Sequence, residues 1–246
     1  MTSKYLVKFY LRTLLIGVII TTIASLIIDY DSVTSLLFEG EIGGFFLNLL
    51  WILGYGLLIA TVSQFAFFIY LFLNPLGMGL LGRAWPYVQL LLVIYAAFDL
   101  FYVRFVFFGD ELSLFSYIWV PIVVVLVGII VAKYKNDTTK EKNVFIPALF
   151  FMIFMTSITL LPFSAQSTDW LFRSIFALVA TNAFQLITLP NYVAASKADK
   201  EARGIETKSD RKERERKKKE AELAAKKEQE ASQKKTRNKM FKNKVR

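Results

Sequence analysis

Asp99, Arg104 and Arg173 are the side chains whose type and setting could do chemistry. Asp99 is the one acid inside an apolar run, Trp85–Val103, and Arg104 follows that run directly. An ionisable group in a membrane span is costly and by default a functional candidate. It could bind a cation or relay a proton. The alternative is a structural ion pair. Arg173, near the start of the last apolar run, could reach Asp99 across a helix bundle, with Asp169 at i−4 as a local rival. Pairing, or access of Asp99 to the outer interface, is the expected role rather than transport.

Other chemistries have little to stand on. The chain has no Cys and no His. That removes thiolate catalysis, disulfides, Cys/His zinc sites and histidine relays. An intramembrane hydrolase would need an Asp-Asp or Ser-Lys pair, and the apolar runs supply one Asp and no Lys. No catalytic residue, metal ligand or cofactor is expected, and no small-molecule substrate is identified. Gly77-Met78-Gly79-Leu80-Leu81-Gly82 matches G-x-G-x-x-G. A dinucleotide site would need a preceding strand, whereas an apolar helix precedes it here. A flexible turn after Pro75 is the expectation.

Gly17, Thr21 and Ser25 recur at i+4 along the first apolar run. Small residues at that spacing let helix backbones approach closely. They form either an internal packing face or a docking face for another membrane protein. Gln64, Gln89, Asn182 and Gln185 are scattered singly and read as hydrogen-bonding glue between helices.

The elements that must position these residues are transmembrane helices. A span takes about 20 mostly apolar residues. Six runs qualify: Leu11–Ile28, Phe45–Leu73, Trp85–Val103, Leu112–Val131, Val144–Phe163 and Leu171–Tyr192. Lys4, Lys8 and Arg12 before the first run imitate a signal peptide, but no small-x-small cleavage site follows, so the run reads as an uncleaved span. Pro75 and Pro190 are expected to close the second and sixth spans, with Pro121 and Pro147 inside the fourth and fifth. Trp85 and Trp170 fall at span ends, as an aromatic belt would place them.

Charge sets the orientation. Residues 1–196 hold ten basic and ten acidic side chains; residues 197–246 hold twenty and ten, so the tail carries the whole net +10. With the N-terminus in the cytosol, eight of the first ten basic residues are cytosolic: Lys4, Lys8, Arg12, Arg83, Lys133, Lys135, Lys140 and Lys142. Only Arg104 and Arg173 lie outside, where the loops are acidic. The positive-inside rule favours this arrangement. An even span count returns the tail to the cytosol. The expected architecture is an all-α membrane protein: a six-helix bundle over 1–196 and a basic, partly helical or disordered tail over 197–246, multi-pass in the plasma membrane.

In the tail, Asp210/Arg214, Glu213/Lys217, Glu215/Lys219, Glu222/Lys226 and Glu230/Lys234 are acid-then-base pairs at i,i+4, which support a charged helix. No a/d seam accompanies them, so no coiled coil is expected. The net charge could draw the tail to anionic lipid or RNA.

Four segments carry a family resemblance: Leu6-Val7-Lys8-Phe9-Tyr10-Leu11-Arg12-Thr13-Leu14-Leu15-Ile16-Gly17, the stretch from Gly43 to Tyr70, the run Val88–Arg104 with Phe98-Asp99-Leu100, and Asn182-Ala183-Phe184-Gln185-Leu186. Their order and spacing resemble the KinB-signalling pathway activation proteins (KbaA family) of endospore-forming Gram-positive bacteria. The resemblance covers about residues 1–196. It implies a polytopic plasma-membrane protein, without a catalytic motif, that promotes signalling by the sensor kinase KinB into the sporulation phosphorelay. The long charged tail departs from the family's pattern. The expected function is therefore non-enzymatic modulation of a sensor histidine kinase. The alternatives are a small solute-binding transport component, or a membrane-insertion factor whose tail meets ribosomes.

Overall fold

The computed structural model describes residues 1–31, 35, 38, 40–109, 114–139, 144–164, 167–205, 211, 214–218, 220 and 222. All regular structure among them is helical. The helices are α1 (Ser3–Ile28), α2 (Ile42–Leu81), α3 (Trp85–Phe108), α4 (Leu114–Thr138), α5 (Phe145–Phe150), α6 (Thr156–Ser164) and α7 (Thr168–Ala202). A 3₁₀ turn, Gly82–Ala84, separates α2 from α3, and a π-helical turn, Phe151–Met155, joins α5 to α6. Glu39, Asp110, Glu111, Lys140 and Lys142 of the expected loops lie outside the described residues.

Among the described residues, five stretches are long and apolar enough to cross a membrane: Ser3–Ile28, Ile42–Phe107, Tyr117–Thr138, Phe145–Phe163 and Thr168–Ala202. The second runs through the 3₁₀ turn and is 66 residues long.

Two prolines do not end helices as expected. Pro75 lies inside α2 and Pro190 inside α7. A proline forfeits one backbone bond, whereas ending a helix leaves several backbone groups without intrahelical partners. Pro147 falls in the first turn of α5, where its missing N–H has no intrahelical partner to lose.

The glycine triplet is not the turn it was expected to be. Gly77 and Gly79 are helical residues of α2, and the turn starts at Gly82, whose φ is +52°. Gly77 is there for space. The Trp85 ring packs over it so closely that a β-carbon would collide. Asn74 secures the same corner, its Oδ1 accepting from Trp85 Nε1 at 3.0 Å and from Gln89 Nε2 at 3.1 Å.

Contacts divide the chain into two compact units, Thr2–Tyr192 and Val193–Arg246 with Met1. In the first, α1 packs along α2, and α3, α4 and the α5–α6 segment pack on one another. Its core is aromatic at one end. Phe9 meets Tyr192 edge-on at 5.3 Å and tilts against Phe67 at 5.8 Å. Phe67 in turn meets Phe151 at 5.2 Å. Gly128 of α4 admits the π turn: a β-carbon there would lie 2.6 Å from Ile153 Cγ1.

In the second unit, Lys197–Glu201, Arg203–Asp199, Arg211–Glu215 and Arg216–Glu220 are i,i+4 ion pairs at 3.1–3.6 Å. Three of the four put the base first, and none is a pair expected from the sequence. Each of those expected pairs includes a residue outside the described ones. The observed pairs are exposed, so each contributes about 0–1 kcal/mol at most.

Candidate functional site: a polar cavity and a buried amide network

Arg173 stands in the second turn of α7 and is almost fully buried. Its Nη2 donates to Asp29 Oδ2 at 2.5 Å. Its guanidinium lies 4.6 Å from the centre of the Trp170 ring. Asp29 is the residue that caps α1, its own N–H donating to Ser25 O at 2.8 Å. One ion pair thus ties the end of α1 to the start of α7.

This arrangement corrects the expected partnership of Arg173 with Asp99. Asp99 is half-buried on α3 and makes no ion pair among the described residues. Arg104 is fully buried and its Nη2 donates to Thr168 Oγ1 at 3.1 Å. The reason is helical phase. Five residues turn the helix by about 140° from complete revolutions, so Arg104 faces the bundle and Asp99 points elsewhere. The sequence placed all three charges near one end, but not on one face.

Beside the Arg173–Asp29 pair is a cavity of about 270 Å³. Its walls come from α1 (Ser25 and Asp29), α2 (Asn48, Trp51, Ile52 and Tyr55) and α7 (Asp169, Trp170 and Arg173). Tyr55 and Ser174 hydroxyls are 2.6 Å apart, and Ser174 Oγ donates to Trp170 O at 2.7 Å, so the phenol is the donor of the first bond. These bonds fix the aromatic wall. Two wall residues carry buried polar atoms without a hydrogen-bond partner among the described residues, Ser25 Oγ and Arg173 Nε. Leaving such an atom unsatisfied costs about 1–3 kcal/mol. Asp169 is exposed and makes no ion pair among the described residues.

Gly17, Thr21 and Ser25 are fully buried along one face of α1. A β-carbon on Gly17 would come within 2.5 Å of Ala60 Cβ, and one on Gly56 within 2.9 Å of Val18 Cα. The stripe therefore lies against α2 of the same chain. Its last member, Ser25, continues into the cavity wall.

The amides do not act singly. Asn182 Oδ1 accepts from Ser63 Oγ at 2.7 Å, and its Nδ2 donates to Thr156 Oγ1 at 2.8 Å. Gln185 Nε2 donates to Ser63 Oγ at 3.3 Å and to Gln64 Oε1 at 3.2 Å. Five buried residues of α2, α6 and α7 thus form one network. Thr156 follows the π turn directly, and such turns recur at functional positions. Gln89 stays apart, on Asn74. The adjacency of Ser63 with Gln64 and the i,i+3 spacing of Asn182 and Gln185 were the available signals. At the aromatic end, Arg12 Nη1 donates to Tyr192 OH at 3.0 Å, a link no sequence pattern marked.

No solved structure matches this chain. The profile of the family described as KbaA, KinB-signalling pathway activation in sporulation, matches residues 17–192. That stretch ends where the first compact unit ends. The KinB-signaling pathway activation protein of Bacillus subtilis (strain 168) is 34% identical over 198 residues, covering 79% of this chain and 100% of that protein. On both grounds the chain belongs to the KbaA family of KinB-signalling pathway activation proteins.

Proposed function

We propose that this chain is a multi-pass plasma-membrane protein that acts without catalysis on a membrane sensor histidine kinase of the KinB type, raising its output into the sporulation pathway. The family match over residues 17–192, most of the compact unit Thr2–Tyr192, carries this reading. The mechanism would be differential contact: binding the active kinase better than the inactive one shifts that equilibrium. A non-enzymatic role suits a chain with no Cys and no His. The proposed topology has six spans, because a 66-residue apolar stretch divided by a 3₁₀ turn is far longer than one crossing of about 30 Å. Both termini are then cytosolic, with most of the basic residues on that side. The contact surfaces would be the outer-facing apolar sides of the helices and the cytosolic loops, since the small face of α1 is spent on α2.

The test is complementation. The full chain is expressed in B. subtilis lacking its own KinB-signaling pathway activation protein, and KinB-dependent sporulation is scored. Restored sporulation and co-purification with the kinase are expected. A membrane-inserted chain that restores neither overturns the reading.

A further inference from the structure

The polar cavity shares two wall residues with an apolar groove. Leu47, Leu50, Trp51, Gly54, Tyr55 and Leu58 line a groove of about 390 Å³ on α2. Trp51 and Tyr55 belong to both. The groove residues are a single helical stripe, i, i+3, i+4, i+7, i+8 and i+11, which spans about 16 Å along the helix axis. Gly54 forms its floor: no atom of the described residues lies within 4 Å of where its β-carbon would be. Leu47, Leu50 and Leu58 are all more than half exposed, on a helix apolar enough to cross a membrane.

The cavity end carries groups of both signs. Asp169 is an exposed carboxylate without an ion-pair partner among the described residues. With Asp29 and Arg173 it leaves the cavity one negative charge in excess. Close to it are donors: Arg173 Nε one turn further along α7, Ser25 Oγ of α1 and the half-buried amide of Asn48, the first two buried with no hydrogen-bond partner among the described residues. The carboxylate suits an ammonium, and the donors suit an oxyanion held close to it. An anionic head group lacking the amine would meet the excess negative charge uncompensated.

We propose that this site binds an amine-bearing zwitterionic phospholipid of the phosphatidylethanolamine class. The ammonium sits at Asp169, the phosphate oxygens sit against Arg173 and Asn48, and one acyl chain lies along the groove from Leu47 to Leu58. The shared chemistry is the phosphoethanolamine zwitterion, and the groove makes the lipid its source. That the site lies in the outer leaflet, and that occupancy sets the output to the kinase, rest on the function proposed above. Binding itself needs no kinase.

The test uses the full chain, purified and delipidated in detergent, then offered dioleoyl-phosphatidylethanolamine or dioleoyl-phosphatidylglycerol. Retained lipid is counted by native mass spectrometry, and free phosphoethanolamine is titrated calorimetrically. About tenfold preference for the ethanolamine lipid is expected. Asp169→Asn, an exposed position, should remove that preference at unchanged thermal stability. Gly54→Leu should fill the groove and lower lipid retention about tenfold, while leaving any weak binding of phosphoethanolamine unchanged. Equal retention of the two lipids overturns the proposal, as does indifference to Asp169→Asn. Phosphoethanolamine binding as tightly as the lipid, with Gly54→Leu inert, overturns the lipid source. Loss of complementation with lipid preference intact would count against the signalling role alone, and so separates the two readings.

Discussion

Gly17 of α1 and Ala60 of α2 are in backbone-close contact: a β-carbon on Gly17 would sit 2.5 Å from that of Ala60 and 3.2 Å from the Gly56 carbonyl oxygen. No flexible side-chain end is available to move aside. Gly17→Val should therefore separate the two helices and cost about 1–3 kcal/mol or more. Gly79→Ala, where nothing lies within 4 Å, serves as the control. Thermal unfolding in detergent, read by loss of monodisperse protein, distinguishes them. Equal stability of the two variants would mean that α1 does not pack on α2 through this face.

The Arg173–Asp29 pair ties α1 to α7 at one end. Removing one partner of a buried pair leaves an uncompensated charge, which typically costs about 3–5 kcal/mol. Asp29 is 28% exposed, so Arg173→Leu should fall toward or below the low end of that range. The double variant with Asp29→Leu should recover part of the loss. A double-mutant cycle with no coupling would contradict the pairing.

Asn182 donates to one helix neighbour and accepts from another. Asn182→Leu should strand Thr156 Oγ1, leave Ser63 with Gln185 alone and destabilise the protein by about 1–3 kcal/mol. Thr156→Val, which removes a single member, should cost less. Comparing the two melting midpoints tests whether the five residues act as a network.

Asp99 makes no ion pair among the described residues, so neutralising it breaks none. Asp99→Asn should leave folded yield and signalling output close to those of the parent. Loss of sporulation at normal yield would instead make Asp99 a coupling residue, and would point to a basic side chain on a partner helix.

The tail should tune the function rather than perform it, since the family match ends at residue 192. Deleting residues 204–246 should leave a membrane-inserted protein that still complements. A peptide of residues 204–246 should bind anionic vesicles at low salt and release them at high salt. A truncated chain that inserts but no longer engages the kinase would make the tail the effector.

Topology can be read directly, because the chain has no native Cys. Single cysteines replacing Lys4, Arg83 and Lys133 should resist a membrane-impermeant maleimide in intact cells, and those replacing Asp31 and Asp169 should react. Labelling at Lys133 would break the six-span topology.

The sequence by itself determined that this chain is a set of long apolar helices with a charge-segregated tail, and which family it belongs to. Both are one-dimensional properties. A run of about 20 apolar residues is long enough for a helix that could cross a membrane, and the order of such runs survives in a family profile. The i+4 spacing of Gly17, Thr21 and Ser25 was legible for the same reason, since it depends on one helix alone. What that face touches was not. Which helix phases meet is decided by packing between distant segments, so Arg173 found Asp29 144 positions away rather than Asp99. The amides converged because Ser63, Thr156 and Asn182 share one depth in the bundle, a coordinate the sequence does not encode. Pro75 and Pro190 misled because a proline's local preference to end a helix is weaker than the need to keep neighbouring backbone groups bonded. The cavity depended on three helices at once, and only the tertiary structure placed Ser25, Tyr55 and Arg173 around it.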